Sequence, residues 1–322
     1  MNAAARSHGG PDTLGVPGHD FSTNANACGP CPRALAAVQG ADAARYPDPA
    51  YAQLRDALAA FHGVDPARIV PAGSASEFIF RVTAWAAQRG VRDVALPRHG
   101  YGDYAQAAVA WKLRQAPEGG LSWACEPSSP LGQQEERVAP GAAIVVLDRA
   151  YEPLRLSGAC SMHDDALSRV WQLWSPNKAL GLTGVRAAYA IAPVNNEAAA
   201  AELDALAPSW TVGAHGVAML QSWCEPPVQH WLARARVVLR EWKARQQALC
   251  EEMRWTVLPG DASFFVVRAP ELARTLPALR GRGIKLRDCA SFGLPGHVRL
   301  SVQAPASQDA LRRAWLELEA SA

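Results

Sequence analysis

The sequence predicts an α/β fold with a mainly parallel sheet, followed by a smaller α+β region, and three observations carry that expectation. Short apolar runs such as "AAIVVLD" (142–148) and "RAAYAIAP" (186–193) have the length and content of buried strands. Segments with helical spacing, such as "SEFIFRVTAWAAQRG" (76–90), lie among such runs, and strands alternating with helices build parallel sheets. After "APSWTVG" (207–213) the character changes to one long helical stretch and then a mixture of strands and helices.

Each element has a local reason. Residues 1–32 are rich in Gly, Pro, Asn and Ser and read as an N-terminal arm. "ALAAVQGA" and "YAQLRDALAAFHGV" read as helices, the second closed by Gly63, and "RIVPAG" as a strand entering a turn. The helix at 76–90 ends at Gly90, "DVALP" is a strand, "YGDYAQAAVAW" a helix, and "KLRQA", "AAIVVLD", "SRVWQLW" and "RAAYAIAP" are strands. "VQHWLARARVVLREWKARQQALCEEM" spans about seven helical turns. Beyond it "WTVLPGDASFFVVRA" reads as a strand pair, "ELARTLPALRGRG" as a helix, "IKLRD" and "HVRLSV" as strands, and "SQDALRRAWLELEAS" as a helix capped by Ser307. The division is a large domain over 33–215 and a small C-terminal domain over 216–322, joined by the long helix.

Composition narrows the function. The 322 residues suffice for two cores. Net charge is +2 with Lys and Arg dispersed along the chain, so no nucleic-acid partner is expected. No apolar run approaches the roughly 18 residues of a membrane helix, and "MNAAARSHGG" lacks the apolar block of a secretory signal, so no membrane partner and a cytoplasmic location are expected. Seven scattered cysteines argue against a disulfide scaffold. "CGPC" (28–31) has the spacing of a dithiol redox site, but polar "HDFSTNANA" precedes it where such a site needs a buried strand. It reads instead as a proline-stiffened turn opening a helix. The eight histidines show no paired spacing, so no metal centre is expected.

Three strand ends carry chemistry, and ligands of open parallel sheets gather at the carboxyl ends of strands. "AAIVVLD" delivers Asp148, a carboxylate that needs a positive or protonated partner such as a protonated pyridine nitrogen, and Tyr151 follows as a phenol able to donate to a ring oxygen. "WSPNKALGLTGVR" delivers Ser175, Lys178 and Arg186, and Lys178 is the only charge between Arg169 and Arg186. Its amine can condense with an aldehyde, while Ser175 and Arg186 suit a phosphate. "PAGSASE" opens a helix at Ser74, Ala75 and Ser76 and presents free N–H groups to an anion. Together these ends converge on pyridoxal 5'-phosphate.

The segment "SPNKALGLTGVR" resembles the cofactor-lysine segment of the class I and II aminotransferases, and "RYPDPAYAQLRDALAAFHGV", "GSASE", "HGYGDY", "VVLDRAY", "APSWTVG" and "HVRLSV" follow in that family's order. The resemblance implies the fold type I architecture of pyridoxal-phosphate enzymes, with a three-layer large domain. It also implies Lys178 as the Schiff-base lysine and Asp148 as the partner of the pyridine nitrogen. Tyr151 would donate to the ring hydroxyl and Tyr101 would stack on the ring. Ser74, Ala75, Ser175 and Arg186 would hold the phosphate. Tyr46 would reach the phosphate of a neighbouring subunit in a homodimer with shared sites, and Arg299 would grip the substrate carboxylate. Ser129 stands in "EPSSPLG" where the family has an asparagine at the ring hydroxyl.

Two branches of the family share the pattern most closely, the histidinol-phosphate aminotransferases and the threonine-phosphate decarboxylases. The resemblance of "HGG" and "DFSTNAN" to the decarboxylase opening implies that His8 lies over the substrate, and "RDCASFGLPGHVR" places Arg287 toward a substrate phosphate. Transamination of an amino acid or phosphorylated amine is the first expectation, and decarboxylation of L-threonine O-3-phosphate in cobalamin biosynthesis is the alternative. A dithiol oxidoreductase using Cys28 and Cys31, or a non-catalytic relative on the same scaffold, are the remote ones.

Overall fold

A computed structural model describes residues 9–134 and 141–320. In chain order β1 (His19–Asp20) precedes α1 (Pro32–Gln39), α2 (Ala52–His62), β2 (Ile69–Ala72), α3 (Ala75–Gln88), β3 (Asp93–Ala95) and α4 (Gly102–Ala110). There follow β4 (Arg114–Gln115), β5 (Leu121–Cys125), β6 (Ile144–Asp148), α5 (Asp164–Leu167), β7 (Trp171–Trp174) and β8 (Ala188–Ile191). Next are α6 (Glu197–Ala205), α7 (Ala214–Trp223), the long α8 (Pro226–Glu252), β9 (Thr256–Val257), β10 (Phe264–Arg268) and α9 (Leu272–Gly281). The last are β11 (Ile284–Lys285), β12 (Arg287–Asp288), β13 (His297–Ser301) and α10 (Pro305–Ala320).

The main sheet has seven strands in the order β2-β8-β7-β6-β5-β3-β4. All its pairings are parallel except those of β8, which runs against both β2 and β7. That reversal has a consequence for the site: the start of β8 lies at the same edge as the ends of β2, β6 and β7. Side chains alternate across the sheet. Ile69, Tyr189 and Ile191 pack into one buried cluster with residues of α1, α2 and α7, while Val70, Ala188 and Ala190 pack into another with α3, α4 and α6. The result is the expected three-layer arrangement.

A second, antiparallel sheet has the order β12-β13-β10-β9, and its buried side chains cluster with those of α8, α9 and α10. Its apolar side chains Phe265, Val298 and Leu300 belong to the cluster that also holds α1 and α2, so one core is continuous between the sheets. The N-terminal stretch is tied down at β1, which pairs in parallel with β11. Among the described residues no helix is long and apolar enough to cross a membrane.

Two elements were not assigned from the sequence, and one expectation needs correction. "LSWAC" forms β5, all five residues buried, although serine, alanine and cysteine lack the β-branched content that marks strands. "EAAAAELDA" forms α6, where no helix was expected. Ser307 does not cap the last helix, which starts at Pro305; its hydroxyl instead meets His19 Nδ1 at 3.0 Å.

Candidate active site

The carboxyl edge of the main sheet surrounds one cavity of about 170 Å³, and every expected cofactor residue except Tyr46 lines it. Asp148 ends β6 and is buried. Its Oδ2 accepts from the Tyr104 hydroxyl at 2.6 Å and its Oδ1 from the Ala150 N–H at 2.9 Å. Burial pushes this carboxyl above its ordinary value, while the Tyr104 and Ala150 donors and the charge of Lys178 pull the other way.

Lys178 follows β7, with Nζ 5.2 Å from the centre of the Tyr151 ring. Its loop is held from the N-terminal segment. The Asn26 N–H donates to Lys178 O at 2.9 Å, the Asn26 side chain to Ala179 O at 3.0 Å, and the Cys31 N–H to Leu180 O at 2.8 Å. Gly181 has a φ of +67°, and a Cβ there would stand 2.7 Å from Gly29 O, so the two loops meet at a point only glycine fits. "CGPC" therefore serves as a brace. Cys31 is fully buried at the start of α1, and burial pushes the Cys28 thiol up, opposite to the lowered pKa a dithiol redox site needs.

The far side of the cavity suits an anion. Ser74 caps α3 by accepting from the Glu77 N–H at 3.0 Å, which leaves the N–H groups of Ala75 and Ser76 at the helix start. A Cβ at Gly73 would meet Thr211 O at 2.7 Å, so this turn also requires glycine. Ser175 is buried and donates to Asn177 Oδ1 at 2.9 Å. Arg186, just before β8, is exposed and has no hydrogen bond or ion pair among the described residues. Tyr101, where α4 begins, meets Ser76 Oγ at 3.1 Å, and burial pushes its hydroxyl up to about 12. Tyr151 stands edge-on to Phe264 at 4.8 Å.

The residues expected to face the substrate come from elsewhere. Arg299 on β13 is buried, donating to Ser129 Oγ at 3.1 Å and to Ser22 O at 3.1 Å, while its Nε has no hydrogen-bond partner among the described residues. Ser129 thus lines the cavity with its hydroxyl engaged by the arginine. Arg287 on β12 is the cross-strand partner of Arg299, and both guanidinium groups lie within 6 Å of the Phe292 ring centre, at 4.9 and 5.6 Å. Burial, then the charge of Arg299, pushes the Arg287 pKa down. Tyr46 is 75% exposed and stacks on Trp210 at 4.3 Å, away from this cavity. His8 lies outside the described residues. Tyr104, Asn26 and Ser22 were not anticipated; the tyrosine repeated one turn after Tyr101 was the one available sign.

A phosphorylated pyridine carrying an aldehyde suits such a cavity, because it asks for an anion cradle at one end, a carboxylate at the other and an amine between them. The class is that of α/β enzymes dependent on pyridoxal phosphate. A model of the family described as aminotransferase class I and II matches residues 137–316, more than half of the chain, and the chain belongs to that family. It is similar to the histidinol-phosphate aminotransferase of Symbiobacterium thermophilum, 29% identical over 89% of this chain and 87% of the relative. It is 28% identical to the threonine-phosphate decarboxylase of Salmonella typhimurium, over 91% of this chain and 88% of the relative. The fold matches the crystal structure of histidinol-phosphate aminotransferase from Sinorhizobium meliloti in complex with pyridoxal-5'-phosphate, with a TM-score of 0.79, 22% identity and coverage of 92% of this chain and 89% of that one.

Proposed function

We propose that this chain is an aminotransferase acting on an amino acid or a phosphorylated amine, with Lys178 as the amine that engages the cofactor. The observation that supports it best is that Lys178, Asp148 and the Ser74–Arg186 cradle border one cavity. Bound pyridoxal phosphate supplies an aldehyde for amines and a protonated ring that draws off electrons. In this reading Asp148 holds the pyridine nitrogen, Tyr151 donates to the ring hydroxyl with Ser129 beside it, and Tyr101 covers the ring face. Ser74, Ala75, Ser175 and Arg186 hold the phosphate. Lys178 Nζ carries the proton to and from the substrate α-carbon. Arg299 holds the substrate carboxylate, Arg287 a second anionic group, and His8 belongs to the arm over the substrate. The division into an arm, a large domain and a small domain at residues 32 and 215 is part of the same reading.

A homodimer completes it. The exposed Tyr46–Trp210 stack is a surface feature of this chain, and an open groove beside Tyr101 and Arg186 is a surface a second copy can cover. A second reaction, decarboxylation of threonine phosphate, is favoured by one observation: two buried arginines paired across strands suit a molecule bearing carboxylate and phosphate together.

The test is an absorbance spectrum with pyridoxal phosphate for wild type and Lys178→Ala, followed by addition of glutamate or O-phosphothreonine. A visible band in wild type alone is expected. Its loss with glutamate, accompanied by formation of the oxo acid, marks transamination, whereas carbon dioxide released from O-phosphothreonine marks the decarboxylase. Identical spectra for the two proteins would overturn the reading.

A further inference from the structure

Tyr104 sits one helical turn beyond Tyr101 and is fully buried, yet neither the expected site nor the reading above gives it work. Its ring is fixed on two sides. It stacks on Trp123 of β5 at 4.5 Å with an interplanar angle of 16°, and stands edge-on to Tyr101 at 6.0 Å. Its hydroxyl donates to Asp148 Oδ2 at 2.6 Å, a distance typical of a hydroxyl bound to a charged carboxylate, and the Cys125 side chain also meets the Tyr104 hydroxyl. Other titratable and charged groups lining the same cavity are Cys125, opposite Asp148 in the β5–β6 register, Tyr101, Tyr151, Lys178 and Arg186.

We propose that Tyr104 is a positioning residue, whose hydroxyl holds the Asp148 carboxylate as an anion and in a fixed orientation toward the cofactor ring. The proposal rests on the reading of Asp148 as the partner of the pyridine nitrogen. A carboxylate in so dry a place is unstable unless donors replace the water it has lost. Tyr104 is the larger of the two protein donors that act on it. Burial and the charge of Asp148 push the Tyr104 hydroxyl well above its ordinary value, so it remains a donor wherever the protein is folded. Without that donor Asp148 would take up a proton at higher pH and lose its grip on a protonated ring nitrogen.

The test is affinity for pyridoxal phosphate, measured by spectroscopic titration from about pH 5 to 9. Tyr104→Phe keeps the stacked ring and removes only the hydroxyl. It is expected to weaken binding about tenfold at neutral pH and to move the acid limb of binding to higher pH. In an Asp148→Asn background, the same change is expected to produce no further shift of that limb. Should Tyr104→Phe fold poorly, a fluorotyrosine at position 104, a stronger donor, is expected to move the limb to lower pH. A limb that stays in place, whatever happens to affinity, makes Tyr104 a packing residue and overturns the proposal. Unchanged affinity in Asp148→Asn alone would instead overturn the reading of Asp148 on which it stands.

Discussion

Asp148 and Arg299 are equally buried and oppositely charged, and the protein surrounds them differently. Both oxygens of Asp148 have donors from its own sheet region, Tyr104 and Ala150, and the neighbouring Ser74, Ser175 and Tyr101 are each hydrogen-bonded as well. Arg299 has neutral acceptors from two distant segments, an unpartnered Nε, and a second arginine across the strand pair. Two residues along from Ser22, both amide atoms of the buried Asn24 also lack partners among the described residues. A buried guanidinium held by neutral acceptors is costly, so an anion received beside Arg299 would offset that cost. In the proposed reading the cofactor end is a finished scaffold, and the substrate end is completed by its ligand.

The comparison breaks most sharply at Arg299. Arg299→Ala is expected to lower kcat/KM for a carboxylate-bearing amine by about a thousandfold while leaving the visible cofactor spectrum in place. A variant that lost cofactor and turnover together would show that the two ends are one structural unit. The converse change is smaller. Arg186→Ala removes an exposed, unengaged charge and is expected to weaken pyridoxal phosphate by about tenfold to a hundredfold, with substrate KM unchanged at saturating cofactor. Equal affinity in titrations of the two proteins would remove Arg186 from the cradle.

The same contrast explains what was legible. The cofactor end is built from strands whose apolar runs stop at a polar residue, so Asp148 and Ser175 could be placed from hydropathy alone. The cradle at Ser74 was visible as a serine-capped helix after a strand. Arg186 reaches the same edge only because β8 runs backwards, and strand direction leaves no trace in a four-residue apolar run. Tyr104 depends on how α4 is rolled against β5, itself unforeseen because "LSWAC" has little strand character. The proposed substrate end joins Ser22, Ser129, Arg287 and Arg299, a tertiary meeting that residue spacing cannot express; only the resemblance to a family placed the arginines.

The smallest expected effect lies beneath the cofactor end. Trp174, the last residue of β7 before Ser175, packs against His62, whose Nε2 meets the Tyr189 hydroxyl at 2.7 Å, with Trp223 donating to the same oxygen at 3.2 Å. Burial, with the charge of Arg149 adding to it, pulls the His62 pKa from 6.5 down to about 4. As pH falls below the ordinary value, the unfolded chain takes up a proton at this position and the folded chain does not. Stability contributed by neutral His62 is thus complete above about pH 6.5 and is lost as pH drops toward 4, by about 1.4 kcal/mol per unit. His62→Gln removes the titrating group, so its urea midpoint is expected to fall less than that of wild type between about pH 7 and pH 5. Parallel losses in the two proteins would mean that His62 is protonated in the folded state as readily as in the unfolded one, and that the floor under Lys178 is wetter than its packing implies.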